Sequence, residues 1–241
     1  MISLKEIKET IKKKGKFWIA FTGDSITSCE WVHPNWREIV EYVLKQKLRD
    51  HLVGDWQTAQ WQLRFFNFAY DGATTRDILN KLPEITTVKT DLLIAVIGAN
   101  DPFRDVSVSE HNENIIKLKN SVEKSGTKFI FSTCNNPDRD VSSSAYLPYV
   151  EADRKLADTG GKFVNLYEES DTFPRDRIYT FKFEEDDPLE SIKKGDKDFW
   201  HPNQLGNAYI AKVMLKEVFD ISFDPEKYWK DTLAGEKMPK Y

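Results

Sequence analysis

Residues Phe17–Thr27 read FWIAFTGDSIT, an aromatic and β-branched run without proline that ends at Gly23-Asp24-Ser25. It is too short for an ordinary helix and apolar on both faces, the pattern of a buried parallel strand stopped by glycine at its carboxyl end. In an open α/β sheet that end opens onto the crevice where ligands bind, so Ser25 is expected on its rim. Two roles are open to it. A serine there can be a nucleophile, and it can equally cap the helix that follows the strand.

Outward from this strand, apolar runs and helical patterns alternate. Ile2–Lys14 before it reads as an amphipathic helix ended by Gly15. After it come a linker, Ile26–Pro34, and a helix capped by Asn35 with Glu38 three residues on, a capping-box spacing. Trp61–Tyr70 is the second expected strand, closed by Asp71-Gly72. A helix capped by Thr74 or Thr75 follows and should end at Pro83. Asp91–Ile97 is the third strand and the most apolar run, ending in Gly98-Ala99-Asn100-Asp101. Glu110–Ser125 is the next helix and Lys128–Cys134 the fourth strand. The polar loop Asn135–Ser144 leads to a helix ending at Gly160-Gly161, and Lys162–Tyr167 is the fifth strand. The long stretch Glu168–Trp200 lacks periodicity and carries the acidic patch Glu184–Asp187, read as a solvated face. Pro202–Phe219 returns as a helix, and residues 220–241 read as a polar extension laid on the surface. Five strands alternating with helices predict one α/β domain over residues 1–241, its parallel sheet covered on both faces.

The bulk composition narrows the function classes. Of 241 residues, 40% are hydrophobic and 31% charged, and 35 basic against 39 acidic side chains leave a net charge of −4. That balance builds no phosphate-binding surface, so nucleic acid is not an expected partner. Phe17–Phe21 is too short for a signal-peptide core or a membrane span, and the expected address is cytoplasmic. Cys29 and Cys134 are far apart with no CxxC, which predicts two free thiols rather than a zinc or redox site.

Parallel strands deliver their carboxyl ends to one edge, which gathers Ser25, Gly72 and Asn100. Asp198-Phe199-Trp200-His201 adds a carboxylate three residues before a histidine, at the mouth of the last helix. These groups suit acyl transfer. Ser25 would attack a carbonyl after His201 takes its proton, and Asp198 would fix the imidazole tautomer. The N–H groups of Ser25 and Gly72 and the amide of Asn100 would surround the oxyanion. Glu30 and His33 form a rival carboxylate–histidine pair near Ser25. His51 and His111, in charged surroundings, read as surface, and Asp24 and Asp101 as partners of local backbone. Trp31 and Trp36 either line a substrate pocket or cap the core.

Gly23-Asp24-Ser25-Ile26-Thr27, Gly72, Gly98-Ala99-Asn100-Asp101 and Asp198-Phe199-Trp200-His201 together, in this order, resemble the blocks of the SGNH hydrolases, or GDSL-type esterases and lipases. The first block departs from the family pattern by having Ile26 in place of leucine. The resemblance implies a flavodoxin-like three-layer α/β/α fold with strand order 2-1-3-4-5. It also implies a Ser25/Asp198/His201 triad and an oxyanion hole from Ser25, Gly72 and Asn100. The expected activity is hydrolysis of short acyl esters of sugars or small alcohols, with no metal or organic cofactor. Thioester hydrolysis, acyl transfer to another alcohol, and a non-catalytic binding module on the same fold remain the alternatives.

Overall fold

The computed structural model describes residues 1–49, 61–138, 140–157, 162–186 and 192–235. The chain opens with helix α1 (Leu4–Lys14), strand β1 (Phe17–Gly23), the short helix α2 (Ser25–Ser28) and α3 (Trp36–Leu48). Strand β2 (Leu63–Asn67), helices α4 (Thr75–Asn80) and α5 (Leu82–Thr87), strand β3 (Leu92–Val96) and α6 (Val108–Lys124) follow. Then come β4 (Lys128–Ser132), α7 (Asp140–Ala157), β5 (Lys162–Val164), α8 (Gln204–Phe219) and α9 (Pro225–Leu233). All strand pairs are parallel and the sheet order is 2-1-3-4-5.

Side chains alternate across a strand, and β3 shows what this does to the core. Leu92, Ile94 and Val96 join a cluster with α1, α3 and α8 on one face. Leu93, Ala95 and Ile97 join a second cluster with α4, α5 and α6 on the other. The sheet is the middle of three layers. β1 lies between β2 and β3, so its carboxyl end is flanked by theirs. Gly23 closes it at φ +153, and a Cβ there would lie 1.9 Å from Val96 O. Only glycine lets the two strand ends come this close immediately before Ser25.

Several expected boundaries move. The second strand ends at Asn67, although Phe68 and Tyr70 still donate backbone N–H groups to Phe21 and Gly23. Thr74 caps α4 with a full capping box, but Pro83 opens α5 instead of ending its predecessor. Proline at the first turn of a helix loses no hydrogen bond, which explains the difference. The fifth strand stops at Val164 because Asn165 caps a helical turn over Leu166–Glu169. The expected surface extension also changes character. Asp224 caps α9, Tyr228 is buried in it, and α9 packs against α8. Residues 236–241, Gly160-Gly161, Asp187 and His51 lie outside the described residues.

Candidate active site

Asp24 takes the cap of α2, its Oδ1 accepting the N–H of Ile26 at 3.1 Å. Ser25 is thereby the first helical residue, and its hydroxyl is not consumed by capping. Of the two roles open to Ser25 in the sequence, the cap belongs to its neighbour. Asp24 is fully buried, with Cys134 Sγ 3.2 Å from its Oδ2. Burial raises its pKa to about 6, against the bonds from Cys134 and Ile26 that lower it.

The partner of Ser25 arrives from the far end of the chain. Residues 181–183 and 195–198 pair as an antiparallel ladder, with Phe183 N–H on Asp196 O and Asp198 N–H on Phe181 O, both at 2.9 Å. This ladder delivers Asp198 to the sheet edge. Asp198 Oδ1 accepts the N–H groups of Trp200 at 2.8 Å and His201 at 3.0 Å. Its Oδ2 lies 2.8 Å from His201 Nδ1, and His201 Nε2 lies 3.0 Å from Ser25 Oγ. A carboxylate oxygen accepts, which suits the tautomer with the ring proton on Nδ1 and the Nε2 lone pair toward the hydroxyl. Both Asp198 and His201 are buried. Asn203 then caps α8 through the N–H groups of Leu205 and Gly206.

Gly72 and Asn100 line the same cavity of about 470 Å³ as Ser25 and His201. The Asn100 amide donates to Ala73 O at 3.0 Å, tying the turn after β3 to the turn before α4. An amide has two N–H donors, so this bond fixes the side chain and leaves one to offer a ligand. Trp31 stacks on the His201 ring, centroids 4.2 Å apart and planes 5° from parallel. Its Nε1 donates to Asp71 Oδ1 at 3.0 Å, while Glu30 Oε2 accepts the Asp71 N–H at 2.8 Å. Glu184, Glu185 and Asp186 are exposed on the cavity rim, so the acidic patch is solvated and still belongs to this pocket.

Two alternatives that the sequence left open are distinguished by the geometry. Glu30 and His33 do not pair: His33 Nδ1 lies 3.0 Å from Glu38 Oε2, and 78% of its side chain is exposed. Trp36 is a core residue packed edge-on against Phe21, and of these two tryptophans Trp31 is the one that lines the pocket. The reading of His111 as a surface residue is corrected: it is 0% exposed. Its Nδ1 lies 2.8 Å from Asp101 Oδ2 and its Nε2 2.8 Å from Asp153 Oδ1. Asp101 is no mere backbone partner either: it also accepts the N–H and hydroxyl of Thr75, at 2.9 and 2.6 Å. Burial alone would lower the His111 pKa, but the two carboxylates outweigh it and raise it to about 9. Gly98 makes room for this ring: a Cβ there would meet His111 Cε1 at 2.7 Å. A signal was available in the spacing of His111, Asn114, Ile115, Leu118 and Val122, the buried face of α6.

A sequence model of the GDSL-like lipase/acylhydrolase family matches residues 21–209, from within β1 to within α8. The chain belongs to that family. Membership places it among the ester hydrolases. No curated protein matches it. Among solved structures it resembles a catalytic mutant of the acetylxylan esterase Axe2 from Geobacillus stearothermophilus, with a TM-score of 0.64 at 18% identity over 86% of this chain and 97% of that one. The lipase/acylhydrolase from Enterococcus faecalis gives 0.62 at 20% identity, over 84% and 95%. An α/β hydrolase, LAE5, from the metagenome of Lake Arreo, Spain, gives 0.65 at 18% identity, over 83% and 94%. At such identities the likeness is one of fold. No helix among the described residues is long and apolar enough to cross a membrane.

Proposed function

We propose that this chain hydrolyses short-acyl esters of sugars or small alcohols through an acyl-serine intermediate, with Ser25, His201 and Asp198 as its triad. The observation that carries the reading is the unbroken path from Asp198 Oδ2 through the His201 ring to Ser25 Oγ, at 2.8 and 3.0 Å, on the wall of an open cavity. His201 Nε2 takes the hydroxyl proton as Oγ bonds to the ester carbonyl carbon. Asp198 holds the ring in the tautomer that makes this possible and stabilises the imidazolium that forms. Negative charge collects on the former carbonyl oxygen, where the Ser25 and Gly72 N–H groups and the Asn100 amide donate to it. The imidazolium returns its proton to the leaving alcohol. Water, deprotonated by the same nitrogen, then releases the acid and restores Ser25.

The cavity favours a small acyl group and a polar alcohol. Its lining includes Asp71, Arg104, Glu184, Glu185 and Asp186. A long acyl chain gains about 0.8 kcal/mol per methylene only where apolar surface covers it, and charged walls withhold that gain. Trp31 and Trp200 supply flat faces suited to a sugar ring. The test uses p-nitrophenyl acetate, butyrate and octanoate, together with an organophosphonate label mapped by peptide mass. The expected outcome is kcat/KM falling from acetyl to octanoyl, with the label on Ser25. A steady rise along the series would overturn the short-acyl reading, and a label on another serine would overturn the nucleophile.

A further inference from the structure

Between α2 and the first turn of α3, outside the residues that line the pocket, lies a cluster the acyl chemistry does not use. Cys29 closes α2 in the left-handed region, φ +78, which turns the chain back toward α3. Its Sγ lies 3.2 Å from Glu38 Oε2. His33 Nδ1 lies 3.0 Å from that same oxygen, and the three atoms are all within 4.8 Å of one another. The sequence expectation of no zinc site rests on the distance between Cys29 and Cys134 and the lack of a CxxC, and does not weigh Cys29 together with His33 and Glu38. The turn after α2 and the first turn of α3 bring them together.

We propose that Cys29, His33 and Glu38 form a binding site for a borderline-soft divalent cation of the zinc class. Thiolate, imidazole and carboxylate are the three side-chain types that bind zinc, whereas magnesium and calcium favour all-oxygen sets. Ligand bonds of about 2.0–2.3 Å in a tetrahedron separate the ligand atoms by about 3.3–3.8 Å. The two separations to Glu38 fall a few tenths of an ångström short of this, and side-chain rotation can open them. Without a metal, a thiol S–H and an imidazole N–H both point at one carboxylate oxygen. A cation takes the place of those two hydrogens. The thiol proton leaves to solvent, and the imidazole proton passes through water from Nδ1 to Nε2, freeing the Nδ1 lone pair. One thiolate and one carboxylate then neutralise the dication.

The surroundings set the terms of binding. The metal must displace the thiol proton of Cys29, so binding strengthens as pH rises. Arg37, whose Nε donates to Thr27 O at 3.2 Å, opposes the metal by its charge. The Asn35 N–H already reaches Glu38 Oε2 at 2.8 Å. A carboxylate has about four acceptor positions, so the helix cap and the metal can share it. The exposed His33 leaves a coordination position for water. An occupied site pins both ends of the segment that presents Trp31 to His201.

Titration of the whole protein with Co²⁺, followed by absorption, tests this. The expected result is one saturable equivalent with a thiolate-to-cobalt charge-transfer band and the visible bands of four-coordinate cobalt. Zn²⁺ should displace it, and about one proton should be released per metal bound. Cys29→Ser should remove the charge-transfer band, and His33→Ala should weaken binding at least about tenfold. Both substitutions leave the capping Glu38 in place, so circular dichroism should report an intact fold. A band that survives Cys29→Ser would come from Cys134 and sink the assignment. Binding indifferent to His33→Ala, or no saturable binding, would sink it too.

Discussion

His201 and His111 both have two engaged ring nitrogens and both contact an aspartate at 2.8 Å, yet they are equipped for different work. The difference lies in the other partner. His201 faces a neutral hydroxyl, Ser25, so its Nε2 keeps a lone pair and can accept a proton. His111 faces a second carboxylate, Asp153, so both nitrogens donate, and the ring is a buried imidazolium with no lone pair to use. Solvent access follows the same division, with His201 on the cavity wall and His111 sealed among Asp101, Asp153, Thr75 and the ring of Tyr149. On the function proposed above, an aspartate–histidine pair serves catalysis only when its third member is neutral and reachable. In the buried site the same pair is a clamp that fixes Asp101, and through Thr75 holds the turn bearing Asn100 against the start of α4.

The largest effect that would separate the two histidines is on turnover. His201→Ala should lower kcat by about 10⁴-fold or more with an unchanged circular dichroism spectrum, because the serine then keeps its proton. His33→Ala should change kcat about tenfold or less. If the His33 variant were inactive and the His201 variant competent, the triad would have to be redrawn.

The buried site should instead speak through stability. His111→Gln leaves Asp101 and Asp153 facing a neutral amide, and Asp153 Oδ2 has no hydrogen-bond partner to begin with. Removing the centre of a buried charge cluster typically costs about 3–5 kcal/mol. The midpoint of urea unfolding should fall accordingly at pH 7, while kcat of the folded variant stays far above that of His201→Ala. A variant as stable as the parent would mean that the ring carries no charge.

These contrasts also mark how far the sequence could be read. β1, the order of the blocks and the Asp198–His201 spacing were legible because each is local: a run of apolar residues, a glycine, a turn at a helix mouth. The position of His111 was obscured by its neighbours Glu110, Asn112 and Glu113, which are polar, although the helical spacing placed it on the buried side. Asp153 gave no local sign, since its partner lies 42 residues away on another helix. The helix over Pro225–Leu233 did carry one, Asp224 at the cap and Pro225 in the first turn, but its polar composition outweighed that signal. The meeting of Cys29, His33 and Glu38 depends on a left-handed residue and a loop path that no periodicity encodes.

The smallest effect is a slope, and it reads the charge on His111 directly. In the unfolded chain the ring loses its proton near pH 6.5; in the folded chain it holds it to about 9. The folded state thus binds the extra proton throughout that window. The contribution is fully present below pH 6.5 and is lost as pH rises toward 9, at up to about 1.4 kcal/mol per pH unit. Asp153 and Asp24, raised by burial to about 6, act with the same sign but between pH 3.8 and 6. The carboxylates held below their ordinary range, Glu38, Glu110, Asp220 and Glu226, act in acid and with the opposite sign. The Met1 amino group, lowered from 8.0, does act inside the window, but it is common to parent and variant and drops out of their difference. Unfolding free energy measured from pH 6.5 to 9 should therefore fall more steeply in the parent than in His111→Gln. Parallel curves would show that His111 is neutral, and would remove the distinction between a histidine that moves a proton and one that keeps it.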